Sequence, residues 1–168
     1  MTPTLRSATA EDISAVQAIY AHHVLHGTGT FEIDPPSVES MRSRWLTLSS
    51  QGYPYLVVEV EGEVIGFGYL GPFRKRPAYR HTVEDSIYLH PDKRGKGVGN
   101  KLLTALIEAA TKLGFTQMIA LIGDSDNRAS VAVHARCGFE TTGTIRQVGQ
   151  KFDRWLDVVI MQRALGNN

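Results

Sequence analysis

The chain of 168 residues is long enough for one well-buried domain and too short for two ordinary ones. Lys and Arg total 18 against 17 Asp and Glu, a net charge of +1, so neither nucleic acid nor an anionic membrane is an expected partner and any basic site must be local. A single cysteine, Cys137, excludes an intrachain disulfide framework and a cysteine-rich metal site. The opening MTPTLRSATAEDI has no apolar signal core, and runs such as YLVVEV and DVVIMQ are too short to span a bilayer, so the expectation is a soluble cytoplasmic protein.

In chain order, TLRS reads as a short strand, and Thr9 followed by Asp12 has the spacing of an acidic capping box. Ile13, Val16, Ile19, Tyr20 and Leu25 then fall on one helical face. After the loop HGTGTFEIDPPS, Ser37 is placed to cap a second helix through VESMRSRWLTLSS. PYLVVEVEGEVIGFGYLGPF predicts two strands joined by a tight turn at Glu61 to Glu63, and HTVEDSIYLHP a further strand ended by Pro91. Leu102, Leu103, Leu106, Ile107 and Ala110 make the apolar stripe of the next helix, with Gly114 its C-cap. FTQMIALIG is a nearly continuous apolar strand, which suggests burial on both faces. A short helix capped near Asp126 or Asn127 and stopped at Gly138 follows, then two strands, roughly Phe139 to Gln147 and Lys151 to Gln162. This order implies an α/β (α+β) fold in one domain over 1–168, a mixed central sheet with helices on both faces.

HPDKRGKGVGNKLL places glycine at every second position from Gly95 to Gly99, just where a helix begins. Glycine inside a helix costs roughly 0.5–1 kcal/mol relative to alanine, so the spacing makes sense if the backbone itself is the working surface. A helix N-terminus offers unpaired N–H groups and partial positive charge, and the missing Cβ atoms let an anion approach; a glycine-rich tight turn is the competing account. A phosphate-binding P-loop fails, because Asn100, Lys101 and Leu102 stand where Gly-Lys-Ser/Thr is required. The dinucleotide fingerprint fails too, since the glycines are equally spaced and HPDKR separates them from the strand.

Arg94 to Gly99 do match Arg/Gln-x-x-Gly-x-Gly/Ala between a strand and an amphipathic helix. Here the chain resembles, over essentially its full length, the GCN5-related N-acetyltransferases, whose shared loop holds the pyrophosphate of acetyl-coenzyme A. TVEDSIYLHPDKRGKGVG, DNRASVAVHARCGFE and VGQKFDRWLDVVIMQ are similar to the branch acting on phosphinothricin and methionine sulfone or sulfoximine. The resemblance implies an acetyl-CoA-dependent enzyme that acetylates the α-amino group of a small amino-acid-like acceptor by direct attack in a ternary complex. It also implies a homodimer, because members of the branch commonly pair.

Transfer from a thioester to an amine needs a neutral amine, a polarised carbonyl and a protonated leaving thiol. Glu84, an acidic residue inside an apolar strand, matches the branch's base; the competing account is a strand-end carboxylate facing solvent or paired with Arg74 or Arg80. Asp85 points to the other face and reads as structural. Cofactor contacts are implied for the strand residues Ile87, Tyr88 and Leu89, with an N–H near Leu89 for the thioester oxygen. They are implied also for Arg94, Gly95, Lys96, Gly97, Val98, Gly99 and Asn100 of the loop, and for Asn127 and Ser130. Asn127, Ser130 and His134 recur at helical spacing; Asn127 also suits an N-cap. His134 holds a position where the wider superfamily often has tyrosine, and either assists the departing thiolate or is a surface histidine. Phe31, Arg74 and Arg80 are implied to bind the acceptor, Phe31 as a wall and the arginines as carboxylate partners, unless Phe31 merely folds onto the core.

Cys137 reads as a packed residue rather than an acetyl carrier. His22, His23 and His26 lack further ligands nearby and read as helix surface, so no metal is expected. The rival readings are a protein N-terminal or other amine acetyltransferase, which needs an open groove, and a nucleotide-binding regulatory module, which needs no carboxylate beside the acyl site.

Overall fold

The helices begin where the sequence sets their caps. In the computed structural model, which describes residues 2–166, the Thr9 N–H donates to Asp12 Oδ2 at 2.7 Å ahead of α1 (Ile13–His26). The same carboxylate accepts from Arg6 at 2.7 Å, tying β1 (Thr4–Ser7) to the helix that follows it. Ser37 Oγ accepts the Ser40 N–H at 3.0 Å and starts α2 (Val38–Ser50). Asn127 Oδ1 accepts the Ser130 N–H at 3.3 Å and starts α4 (Arg128–Arg136). The glycine stretch leads directly into α3 (Val98–Lys112).

One sheet runs in the order β1-β2-β3-β4-β5-β7-β6, with β2 (Tyr55–Val60), β3 (Glu63–Pro72), β4 (Thr82–Leu89), β5 (Gln117–Gly123), β6 (Glu140–Lys151) and β7 (Arg154–Ala164). All neighbours are antiparallel except β4 and β5, so the sheet is mixed as expected. The β2–β3 hairpin turns on Glu61 and Gly62, both with positive φ (52° and 82°), the geometry that matches strand twist. On one face, Ile13, Val16, Tyr20 and Met41 pack on Tyr55, Val57 and Phe67. On the other, Leu103, Leu106 and Ala110 pack on Leu70, Val83 and Met118. Leu25 does not join the first core and stands 51% exposed, because Val24, four residues after Tyr20, continues the stripe and Leu25 rotates away from it.

The last hairpin departs from the sequence expectation. β6 runs on past the expected end at Gln147 through Lys151, with a bulge between Ile145 and Gly149 where Asp157 Oδ1 accepts the Gln147 N–H at 2.9 Å. Phe152 and Asp153, at φ 54° and 55°, make the turn without any glycine.

The parallel pairing matters most. It spans only Thr82–Glu84 against Gln117–Ile119; beyond Glu84 the two strands part, β4 staying with β3 and β5 with β7.

Candidate active site

The parting of β4 from β5 opens a cleft lined by Ile87, Leu89, Gly97, Asn127, Ser130 and His134. His90 N–H donates to the Ile65 carbonyl at 2.8 Å, and hydrogen-bonded pairs alternate along an antiparallel ladder. Tyr88 and Ser86 therefore bond β3, while the peptide groups of Ile87 and Leu89 face the gap that β5 has left. An extended ligand bearing amides can pair with that edge, as a strand would.

At the mouth of the cleft Gly95, Lys96 and Gly97 adopt φ of 84°, 54° and 72°, three consecutive left-handed residues before the first turn of α3. A backbone turned in this way, next to a helix N-terminus, presents N–H groups to an anion. Gly99 sits inside the first turn, where an added Cβ would touch Val133 at 3.5 Å, so α3 and α4 approach closely beneath the loop. Arg94 also lines the cleft, Val98 is buried below it, and the buried Asn100 Oδ1 has no hydrogen-bond partner among the described residues.

The far wall is α4. Its N-cap is also a cleft-lining residue: Asn127 uses Oδ1 for the cap and stands at the edge of the cleft. His134 is not a surface histidine. It is 2% exposed, with Nδ1 at 2.8 Å from the Ser130 carbonyl and Nε2 at 2.8 Å from Asp85 Oδ2. Burial alone would lower its proton affinity; the Asp85 hydrogen bond and charge, with the Ser130 carbonyl, outweigh this and raise it above the ordinary histidine value. Asp85 Oδ1 is buried without a partner among the described residues.

Glu84 lies on the opposite face of β4, half-buried, opposite Gly71 and at the last β4–β5 pair. Burial raises its pKa above the usual glutamate value, the Asp85 charge adds to this, and Arg74 partly offsets it. Arg74 is exposed and stacks 4.5 Å over the Phe73 ring, within electrostatic reach of Glu84. Arg80 is also exposed, and its Nη1 donates to the Pro77 carbonyl at 3.1 Å rather than to Glu84. Phe31 is wedged between two strands, where a Cβ on Gly123 would stand 2.8 Å from its ring and one on Gly149 closer still.

His23, expected on the helix surface, is instead half-buried, and its Nε2 donates to the Leu89 carbonyl at 2.8 Å, at the edge of the cleft. Nothing in HHVLH separates it from its surface neighbours except its spacing from Ile19 and Tyr20. Lys151 is 4% exposed, its Nζ donating to the Thr30 carbonyl at 2.9 Å and so fastening the loop that carries Phe31 to the last hairpin. The His22 and His26 rings lie 4.9 Å apart as helical spacing predicts, and among the described residues no group of three metal-ligating side chains forms. Cys137 packs at the end of α4 against the α3-side core of Leu103, Leu106 and Ala110.

A strand edge that no other strand pairs, a left-handed backbone loop at a helix N-terminus at its end and a half-buried carboxylate at its start are features that suit acetyl-CoA and an amine, those of an acyl-CoA-dependent transferase. The Acetyltransferase (GNAT) family matches residues 17–139, and the chain belongs to that family. It is 47% identical over 162 residues to a phosphinothricin N-acetyltransferase of Alcaligenes faecalis, covering 96% of this chain and 82% of that one. It is 42% identical to the L-methionine sulfoximine/L-methionine sulfone acetyltransferase of Pseudomonas aeruginosa, covering 98% of this chain and 96% of that one. Among solved structures, a GNAT superfamily phosphinothricin acetyltransferase from Sinorhizobium meliloti in complex with AcCoA superposes with a TM-score of 0.96 at 48% identity. That match covers 99% of this chain and 90% of the other.

Proposed function

We propose that the protein acetylates the α-amino group of small amino-acid analogues of the phosphinothricin and methionine sulfone or sulfoximine type, by direct attack on acetyl-CoA in a ternary complex. The observation that carries this reading is the position of Glu84: a half-buried carboxylate of raised proton affinity at the point where β4 and β5 part. The activities for which the relatives are named support the acceptor class.

Acetyl-CoA supplies an activated acyl carbon; the chain's residues hold it and manage the protons. The left-handed loop Gly95–Gly97, with Arg94, Lys96, Val98, Gly99 and Asn100 around it, takes the diphosphate through backbone N–H groups. Ile87 and Leu89 offer their peptide groups to the pantetheine arm and the thioester oxygen, with Tyr88 holding the strand in register. Asn127 and Ser130 flank the arm from α4. Glu84 takes the proton from the acceptor's ammonium, directly or through water, and a raised pKa makes it a better base than an exposed carboxylate. His134 faces the departing thiolate from the other side of the strand. Arg74, whose charge reaches Glu84, pairs with the acceptor's carboxylate; Arg80 joins it only by leaving its contact with Pro77. Phe31 closes the pocket.

Ile145, Val148, Phe152 and Trp155 are exposed on the β6–β7 hairpin, at the edge of the sheet, which supports pairing into a homodimer through this edge. The proposed location is the cytoplasm, where acetyl-CoA is made; among the described residues no helix is long and apolar enough to cross a membrane. The deciding experiment is a screen of acceptors followed by thiol release. Turnover of methionine sulfone, methionine sulfoximine or phosphinothricin above that of peptides with free N-termini is expected, and the reverse order overturns the acceptor assignment.

A further inference from the structure

Two acidic residues adjoin on β4, and only Glu84 has a part in the reaction as proposed above. Asp85 is 6% exposed and faces α4, where its Oδ2 lies 2.8 Å from His134 Nε2. The other ring nitrogen, Nδ1, lies 2.8 Å from the Ser130 carbonyl, which can only accept, so Nδ1 bears a proton. The Asp85 contact fits a second proton on Nε2 donated to a carboxylate, since an ionised carboxylate likewise only accepts.

We propose that Asp85 is a positioning residue acting through His134: it fixes the ring with both N–H groups committed to the protein, so that His134 meets the cofactor's sulfur as a hydrogen-bonded cation and never as a base. This rests on the acetyltransferase reading, in which the sulfur lies in the cleft that Asp85 and His134 both line. It assigns base work to Glu84 alone, on the far face of the strand. A ring with no lone pair cannot compete for the acceptor's proton, and its positive charge favours the thiolate that leaves. Removal of one partner from a buried pair leaves the other uncompensated, so the two residues should act as a unit.

The surroundings leave Asp85 as the group that sets the ring's charge. β5 (Gln117–Gly123) brings no ionisable side chain to α4. From α3, Asn100 and Thr104 meet Cys137, a neutral contact near the helix end. From β7, Arg163 Nη1 donates to the Cys137 carbonyl at 2.5 Å, and Arg136 lies at the rim of the cleft. Phe139 packs edge-on against the ring at 5.0 Å.

The test combines nitrogen-15 NMR of His134 with kinetics of the full chain, using methionine sulfone as probe acceptor. In the wild type at neutral pH both ring nitrogens should give the shifts of a protonated imidazolium; in Asp85→Asn the ring should be neutral. The falling limb of the kcat–pH profile should move down by about one unit or more in Asp85→Asn, and kcat at neutral pH should drop about tenfold, with acetyl-CoA affinity by calorimetry nearly unchanged. Asp85→Glu should recover part of the profile. A neutral ring in the wild type overturns the proposal whether or not the variant folds, and so does a limb that stays in place. Failure of the wild type to bind acetyl-CoA would instead sink the acetyltransferase reading, an outcome the NMR arm cannot produce.

Discussion

His23 Nε2 donates to the carbonyl of Leu89 across 2.8 Å, joining the last turn of α1 to the end of β4 at the rim of the cofactor cleft. The bond fixes one peptide of the strand edge to which the proposed function assigns the pantetheine arm. His23→Ala should lower stability by about 1 kcal/mol, the net worth of such a bond, and weaken acetyl-CoA binding about three- to tenfold; His23→Gln, which retains a donor, should lose less. Burial depresses the His23 pKa, so the folded state prefers the neutral ring. A depressed folded-state pKa means stability that is complete above the ordinary histidine range and lost as pH falls through it. The wild type should therefore lose more melting temperature than His23→Gln between neutral and mildly acidic buffer, and a parallel loss in both would contradict the assignment.

The glycine loop makes two different demands. Gly97 has φ 72° with open space around it, whereas Gly99 is helical and an added Cβ there would already be in contact with Val133 at 3.5 Å, leaving no room for a larger side chain. Gly97→Val should strain the backbone and Gly99→Val should push α4 from α3; both should weaken acetyl-CoA binding strongly. Lys96→Ala should weaken it modestly, since the proposed function gives the anion to the backbone rather than to the side chain. Calorimetry that finds wild-type affinity in both valine variants would remove the diphosphate from this loop.

Phe31 and Gly149 exclude one another's volume: no Cβ fits at 149 while the ring stays in place. Gly149→Ala should cost about 1–3 kcal/mol and raise the KM for the acceptor without altering acetyl-CoA affinity. Adding Phe31→Leu should recover stability but not KM. A double-mutant cycle with no coupling between the two positions would show that the ring is not held by this glycine.

These residues mark the limit of what local pattern reveals. The caps at Thr9, Ser37 and Asn127 and the stripe from Leu102 to Ala110 are legible because each element specifies itself within a few residues. The glycine spacing is legible for the same reason. Strand alternation correctly sends Glu84 and Asp85 to opposite faces, but that Asp85 meets a histidine 49 residues later depends on where α4 lands. The His23–Leu89 bond spans 66 residues, and the parting of β4 from β5 is a property of two distant strands, neither of which signals it alone. The final turn misleads for another reason: Phe152 and Asp153 take left-handed conformations that usually mark glycine or asparagine, while Gly149 marks a bulge.

Glu84 and Asp85 share a strand but should respond differently to amidation, Glu84 through the rising limb of the pH profile and Asp85 through the falling one. Glu84→Gln keeps the shape and removes the basicity, so turnover should fall by about 10²- to 10⁴-fold with acetyl-CoA affinity intact. Because burial raises the Glu84 pKa, the wild-type rate should climb as pH rises through a value above the usual glutamate range, where the carboxylate becomes free to accept a proton. In Glu84→Gln that rising limb should vanish, replaced by a slow rise toward the pKa of the acceptor's own amine, so the deficit shrinks in alkaline buffer. Stability should move the other way. A carboxyl whose folded-state pKa is raised is a destabilising charge once ionised, so Glu84→Gln should melt at or above the wild-type temperature at neutral pH. A folded Glu84→Gln with near-wild-type turnover at neutral pH would end the catalytic assignment, and a lowered melting temperature with unchanged activity per molecule would make Glu84 a structural residue.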